Sequence, residues 1–244
     1  MLISISGRMN SGKDTVGKII NILVSSPQLN NEGVATFLRK DIGQSHFVVK
    51  KFADKLKDMV CMLIGCTREQ LEDETFKNIE LGEEWWYFKG RNGSLISYNE
   101  NSKRSDEDLI KPTPRLLMQL LGTECGREIL HPNIWVNSVF ADYRRSLRNV
   151  KNVPTTSMRT SMLQADYPNW IITDVRFPNE ADAIKQRDGV IIRVNSGRCN
   201  NDDNHPSETG LDKYMNFDYI ISNDGSIEQL IEKVRRILIK QELL

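Results

Sequence analysis

The chain has 244 residues, with 33 basic residues balancing 33 acidic ones and a hydrophobic content of 39%. At roughly 150 residues per domain, that length predicts one large domain or one domain carrying an insertion. Membrane-spanning, collagen-like, coiled-coil and disordered classes are excluded by composition and by the lack of an apolar run near ~20 residues, and zero net charge argues against a general binder of nucleic-acid backbone, which would be basic.

Cys61, Cys66, Cys125 and Cys199 are scattered, and the opening Met1-Leu2-Ile3-Ser4-Ile5 lacks the basic start of a secretory signal. Free thiols in a reducing cytoplasm are therefore expected. No Cys-x-x-Cys pair exists, and His46, His131 and His205 are far apart, so no zinc site is expected.

In chain order, residues 2–6 read as a strand and 12–24 as a helix, with Val16, Ile19, Ile20 and Leu23 on one face. A polar loop is expected over 25–33. Phe47-Val48-Val49 forms a β-rich run that turns into a helix over 54–64. Thr67 with Gln70 three positions on predicts a capping box opening a short helix over 67–74. Trp85 to Tyr98, with Asn92-Gly93 at the turn, reads as a β-hairpin flap inserted between about 77 and 112, followed by a polar stretch over 99–108.

Thr113-Pro114 places an N-cap before proline at the first helical position, and that helix should run to about 129. Asn133 can cap another to about 147, after which residues 149–166 are polar and without period. Strands over 170–173, 190–194 and 219–221 alternate with helices over 178–187 and from Ser226 to the end. A polar loop covers 195–209. Short continuous apolar strands alternating with helices predict a parallel sheet covered on both faces. The expected fold class is a three-layer α/β/α domain with a central, mostly parallel five-stranded sheet. One domain spans 1–244, with a helical and flap insertion at about 54–148 and a lid loop at about 195–209.

The strongest chemical signal is Gly7-Arg8-Met9-Asn10-Ser11-Gly12-Lys13-Asp14-Thr15. It satisfies G-x-x-x-x-G-K between a strand and a helix, the context a phosphate loop requires. Backbone N–H groups from Asn10, Ser11 and Gly12 onward would wrap a phosphate, and the helix N-terminus adds its positive dipole end. Gly7 and Gly12 admit close approach, and Lys13 supplies a point charge for the β- and γ-phosphates. The usual Ser or Thr after the lysine is Asp14 here. Asp14 could hold Mg²⁺ through water while Thr15 touches a phosphate.

Other candidates sit at strand or helix ends. Phe52 and Lys57 flank a strand's carboxyl end, where ligands bind in open α/β sheets. Arg115 and Gln119 share one helix face, and Gly122-Thr123 marks either a close backbone approach or a helix break. Trp135 reads as a core aromatic or as a stacking platform for a base. Asp174, Arg176 and Glu180 follow a hydrophobic strand, and Arg176 has the fork geometry suited to phosphate. Arg193 and Arg198 belong to a lid-like loop over 193–209 with His205 and Glu208, whose two arginines could close over transferring phosphates. Asn223-Asp224-Gly225 could hold the donor's base, Asn223 by its side chain and Gly225 by its backbone, or be a plain turn before the Ser226 cap.

Taken in order, Gly7 to Thr15, Phe52-Ala53 with Leu56-Lys57, Arg115-x-x-Met118-Gln119-x-Leu121-Gly122-Thr123, Trp135-Val136, Asp174-x-Arg176, His205-x-Ser207-Glu208 with Gly210-Leu211, and Ile221-x-Asn223-Asp224-Gly225-Ser226 resemble the bacteriophage deoxynucleoside monophosphate kinases of the P-loop superfamily. The resemblance leaves out only the segments near 77–110 and 149–168. It implies ATP and Mg²⁺, a deoxynucleoside monophosphate as acceptor, no nucleic-acid or membrane partner, a homodimer, and the cytoplasm of a host cell. It implies that Lys13, Asp14 and Thr15 serve donor phosphates and metal. Arg115, Asp174 and Arg176 would hold the acceptor, with Gly122, Thr123 and Trp135 lining its pocket. Lys13, Arg115, Arg176 and Arg198 are the candidate catalytic cations. A small-molecule kinase of dephospho-coenzyme A or phosphomevalonate type, or a non-catalytic ATP-binding regulator, would share the phosphate loop.

Overall fold

The computed structural model describes residues 1–40, 46–90, 94–99, 109–144, 167–199 and 209–244. The Asn92-Gly93 turn, the polar stretches over 100–108 and 149–166, and lid residues 200–208, with His205 and Glu208, lie outside the described residues. The chain divides into two compact units, one of Met1–Phe52 and Val136–Leu244, the other of Ala53–Trp135.

The first unit is built on five parallel strands. These are β1 (Leu2–Gly7), β2 (Val48–Lys50), β6 (Trp170–Val175), β7 (Val190–Asn195) and β8 (Tyr219–Ser222), in the order β2-β6-β1-β7-β8. All six residues of β1 are buried, as a central strand covered on both faces must be. Ile3 pairs with Ile171 on one side and Val190 on the other. Helices α1 (Lys13–Ser25), α2 (Asn31–Lys40) and α9 (Ile227–Lys240) share one core with the sheet, through Val16, Ile19, Ile20, Leu23, Val34, Leu230, Ile231 and Val234. Helix α8 (Pro178–Lys185) packs on β7 and buries Ala181 and Ile184. The expected three-layer parallel fold is thus observed, with all five strands parallel.

Helix α2 corrects the sequence reading, which placed a loop through Gly33 and no helix after it. The polar start Asn31-Glu32-Gly33 hides a helix that buries only Val34 and Ala35. Helix α9 opens as expected, with the Ser226 side chain accepting from the Gln229 N–H in a capping box.

The second unit carries α3 (Asp54–Ile64), α4 (Arg68–Glu72) and α5 (Glu74–Lys77). The Thr67–Gln70 capping box forms as expected. The flap is a three-stranded antiparallel sheet rather than a hairpin, because β3 (Tyr87–Lys89) pairs with both β4 (Leu95–Ser97) and β5 (Leu109–Ile110). Helix α6 (Pro114–Leu120) starts on the Thr113 cap. It runs on as a π-helix over Leu121–Leu130, so Gly122-Thr123 widens the helix instead of breaking it. Helix α7 (Ile134–Phe140) ends seven residues short of the expected 147. Among the described residues no helix is long and apolar enough to cross a membrane.

Candidate active site

In an all-parallel sheet the five carboxyl-terminal strand ends point one way, and the strand order reverses about β1. A ligand crevice belongs there. Residues 7–15 occupy that position. The loop leaves β1 at Gly7, where an added Cβ would sit 2.6 Å from the Val194 carbonyl and also strike the Ser11 hydroxyl. No residue but glycine fits without moving β7 or the loop. Asn10 and Gly12 take left-handed backbones, at φ 62° and 96°. Gly12 forms the N-cap of α1 with no side-chain cap, leaving its first N–H groups for an outside partner.

Lys13 is 9% exposed. Its ammonium curls back and donates to the Arg8 carbonyl at 2.7 Å, so it spans the mouth of the loop. The Ser11 hydroxyl is buried and, among the described residues, has no hydrogen-bond partner. An orphaned hydroxyl inside a glycine-lined cradle at a helix N-terminus is the donor set an anionic phosphate would satisfy. The residues present therefore fit a bound polyphosphate.

Two further strands brace this cradle. From the end of β8, the Asn223 side-chain amide donates to the Ser11 carbonyl at 2.9 Å, and an added Cβ on Gly12 would lie 2.5 Å from its nitrogen. Arg198 donates to the Gly225 carbonyl at 3.1 Å, which brings it onto the Asn223–Gly225 turn. Asp224 accepts from the Gly197 N–H at 2.6 Å and from Ser222 at 2.7 Å. The Ser222 hydroxyl, followed by that backbone N–H, holds the Asp224 carboxyl below its ordinary value.

Asp14 is held by β2 and β6. It accepts from the Thr173 hydroxyl at 2.9 Å and pairs with Lys51 at 3.2 Å. Burial alone would raise its carboxyl. The Lys51 charge, the Thr173 hydrogen bond and Lys13 outweigh it and keep the group below its ordinary 3.8. Asp14 is thus a fixed carboxylate beside the cradle, able to hold a divalent cation. Among the described residues no cluster of three or more metal-binding side chains exists. Thr15 lies in the first turn of α1, partly buried.

The β6 candidates are more structural than expected. Asp174 accepts from the Phe52 N–H at 2.8 Å and so ties the end of β2 to β6. Phe52 is 3% exposed, its ring edge-on to Phe140. Glu180, 1% exposed, turns back to accept from the N–H groups of Arg176 at 2.8 Å and Phe177 at 3.2 Å. Its carboxylate caps the start of α8 and fixes the backbone that presents Arg176.

Lys57, Arg115, Gly122, Thr123 and Trp135 belong to the second unit. Lys57 pairs with Glu72 at 2.7 Å. Arg115 donates to Asn78 at 3.0 Å and pairs with Glu74. The Trp135 indole donates to the Gly122 carbonyl at 2.8 Å, and a Cβ on Gly126 would stand 3.0 Å from its ring. With 5% exposure, Trp135 is a packing residue here rather than an open stacking platform. Gly126 has room for no side chain because the Leu121 carbonyl and this ring both lie against it, whereas a Cβ on Gly122 would meet Leu56 at 3.0 Å.

Arg193, expected as a mobile lid arginine, is instead held in β7 in a cluster with Arg8 and Asp212 that the sequence did not predict. Arg193, at the end of β7, is 8% exposed. It donates to Ser6 at 3.0 Å, Asp212 at 3.0 Å and Asn195 at 3.3 Å. The other oxygen of Asp212 takes Arg8 of the phosphate loop at 2.5 Å. Burial, with Arg8 nearby, pulls the Arg193 guanidinium below its ordinary value despite Asp212. These groups line a cavity of about 280 Å³ with Asn195, Ser196 and Cys199. Asp212 lies 204 residues from Arg8, and no local pattern signals their pairing.

Comparison with known proteins agrees with this geometry. The family model for deoxynucleotide monophosphate kinase matches residues 86–234. A protein of Acanthamoeba polyphaga mimivirus is 25% identical over 237 residues, covering 96% of this chain and 94% of its own length. The deoxynucleoside-5'-monophosphate kinase of Escherichia phage T5 is 24% identical over 260 residues, covering 92% of this chain and 91% of its own. The deoxynucleotide monophosphate kinase of Escherichia phage RB69 is 27% identical over 124 residues, covering 51% and 44%. With a phosphate loop at the switch point of a parallel sheet and a family match over more than half its length, the chain belongs to the deoxynucleotide monophosphate kinase family.

Proposed function

We propose that this chain transfers the γ-phosphoryl group of ATP to a deoxynucleoside 5'-monophosphate, giving ADP and the deoxynucleoside diphosphate, with Mg²⁺ as the accompanying ion. One observation carries the reading. The Lys13 ammonium and the unpartnered Ser11 hydroxyl meet at a glycine-lined helix N-terminus, a cradle whose vacancies are those of a polyphosphate ligand.

Both nucleotides are anionic, and the moving phosphoryl spreads negative charge over its oxygens. Catalysis is therefore positioning and charge stabilisation, with no covalent enzyme intermediate. On this reading Lys13 leaves the Arg8 carbonyl for the donor's β- and γ-phosphates. Ser11, Gly12 and Thr15 hold the same tail, and Asn223 and Gly225 border the donor base with Arg198 beside them. Asp14 would hold the ion, which would supply positive charge for the donor phosphates. Arg115 and Arg176 hold the acceptor phosphate, Arg115 exchanging Glu74 for it. Lys57, Asp174, Gly122 and Thr123 are assigned to the acceptor, and within their own units Phe52 braces Asp174, Glu180 braces Arg176 and Trp135 braces Gly122. The homodimer is checked by light scattering, and the cytoplasm is the compartment that keeps its four thiols reduced.

The test is ADP release, coupled to NADH oxidation, across a panel of deoxynucleoside and ribonucleoside monophosphates, dephospho-coenzyme A and phosphomevalonate. Turnover with at least one deoxynucleoside monophosphate, above every non-nucleotide acceptor, is expected. Turnover confined to a non-nucleotide acceptor, or ATP binding without any acceptor-dependent ADP, would refute it.

A further inference from the structure

Helix α3 ends in a glycine turn of the Schellman kind. Gly65 adopts φ 67° and ψ 34°, and its N–H reaches the Cys61 carbonyl. The N–H of Cys66 reaches that same carbonyl at 3.1 Å. In such a turn the residue after the left-handed glycine and the residue four before that glycine bring their side chains together. The pair is normally apolar. Here both positions are cysteine. Both are free and partly exposed, so a small reagent can reach them.

The turn is also strapped from outside. Arg68, two residues past Cys66, donates to the Asp54 carbonyl at 2.8 Å and to Asp58 at 2.9 Å. It reaches the Asp54 and Glu72 carboxylates at 3.1 and 3.3 Å. One guanidinium thereby clamps the chain after the turn to the first turns of α3. The ordering cost of joining the two sulfurs is largely met before any bond forms. Burial, then the hydrogen bond to Cys66 and its charge, push the Cys61 thiol up to about 11, with Arg68 opposing.

We infer that Cys61 and Cys66 are a redox-active dithiol that closes reversibly to an intramolecular disulfide by exchange with small-molecule disulfides. The Cys66 thiolate attacks one sulfur of the oxidant and expels the first small thiolate. Cys61 then attacks the mixed disulfide at the Cys66 sulfur, forming the Cys61–Cys66 bond and expelling the second. Two protons leave the protein thiols and end on the two small thiols. The protein is oxidised by two electrons, and the small disulfide is reduced. This inference stands apart from the proposed kinase activity.

The experiment uses the full-length reduced protein, incubated with glutathione disulfide under native conditions, quenched with an alkylating reagent and read by intact mass and peptide mapping. The expected product is lighter by about 2 Da, carries no glutathione at these positions, and maps to a Cys61–Cys66 link. Dithiothreitol restores the starting mass. Cys125 and Cys199 serve as single-thiol controls, able to form adducts only. Cys61→Ser should abolish the lighter species and leave a stable glutathione adduct on Cys66. A lasting adduct on either cysteine of the wild-type protein overturns the inference, as does full alkylation of both after exposure to the oxidant.

Discussion

Asp212→Asn separates the long-range clamp on the phosphate loop from its surroundings. In the native protein the carboxylate faces two cations at once, Arg193 at 3.0 Å and Arg8 at 2.5 Å. Asparagine offers one oxygen and must point its amide donors at the other guanidinium. Removing the charge strands Arg193, whose side chain is 10% exposed. Breaking a fully buried pair costs about 3–5 kcal/mol. Asp212 itself is 33% exposed, so water and the retained oxygen should reduce this to about 1–2 kcal/mol. For a chain of this size that is a fall in Tm of about 2–8 °C, read by circular dichroism. Arg8 also supplies the carbonyl that Lys13 holds. The KM for ATP should therefore rise more than kcat falls. Pairing Asp212→Leu with Arg193→Met removes both buried charges and should recover most of the lost stability. An unchanged Tm in the single variant, or a double variant less stable than the single, would refute the clamp.

Gly12→Ala forces a side chain to φ 96° and places its Cβ 2.5 Å from the Asn223 amide. It should cost about 1–3 kcal/mol and weaken ATP binding by calorimetry, whereas Gly65→Ala, with nothing within 4 Å, should pay for backbone strain alone and leave ATP binding intact. Ser226→Ala removes the α9 cap and should lower Tm by roughly 2–4 °C, for about 1 kcal/mol, with kcat unchanged. The lowered Asp14 carboxyl gives a pH test. Its stabilising contribution is present above its unfolded value of 3.8 and is lost only as pH falls through the lower folded value. The Tm difference between wild type and Asp14→Asn should be flat from neutral pH to about 5 and shrink below about 4. A difference that shrinks between pH 7 and 5 would contradict that ion-pair assignment.

The legible parts of this molecule were those with local rules. The phosphate loop is fixed by glycine positions and its lysine. The caps at Thr67, Thr113 and Ser226 each follow from a hydroxyl beside the first helical turn. The interiors of the inner strands β1, β6 and β7 are largely apolar because those strands are buried on both faces. What escaped depends on distant partners or weak local signals. Helix α2 buries too little to print a period. The third flap strand is two residues long and exists only through pairing with β3. Arg193 reads as a lid arginine and Asp212 as an ordinary surface charge until folding joins both to Arg8. Glu180 was readable, since a glutamate two residues past Pro178 is where a cap on the preceding N–H groups is expected.

Turnover of Lys13→Met reads the role of the phosphate loop with no other variable in between. With ATP, Mg²⁺ and an accepted deoxynucleoside monophosphate all saturating, ADP release should fall by roughly 100-fold or more, as for loss of one charge-stabilising group. Tm should stay within about 3 °C of wild type, because methionine fills the space of the lysine stem. Wild-type turnover in a folded Lys13→Met protein would contradict the assignment of residues 7–15 as the cradle of the transferred phosphate.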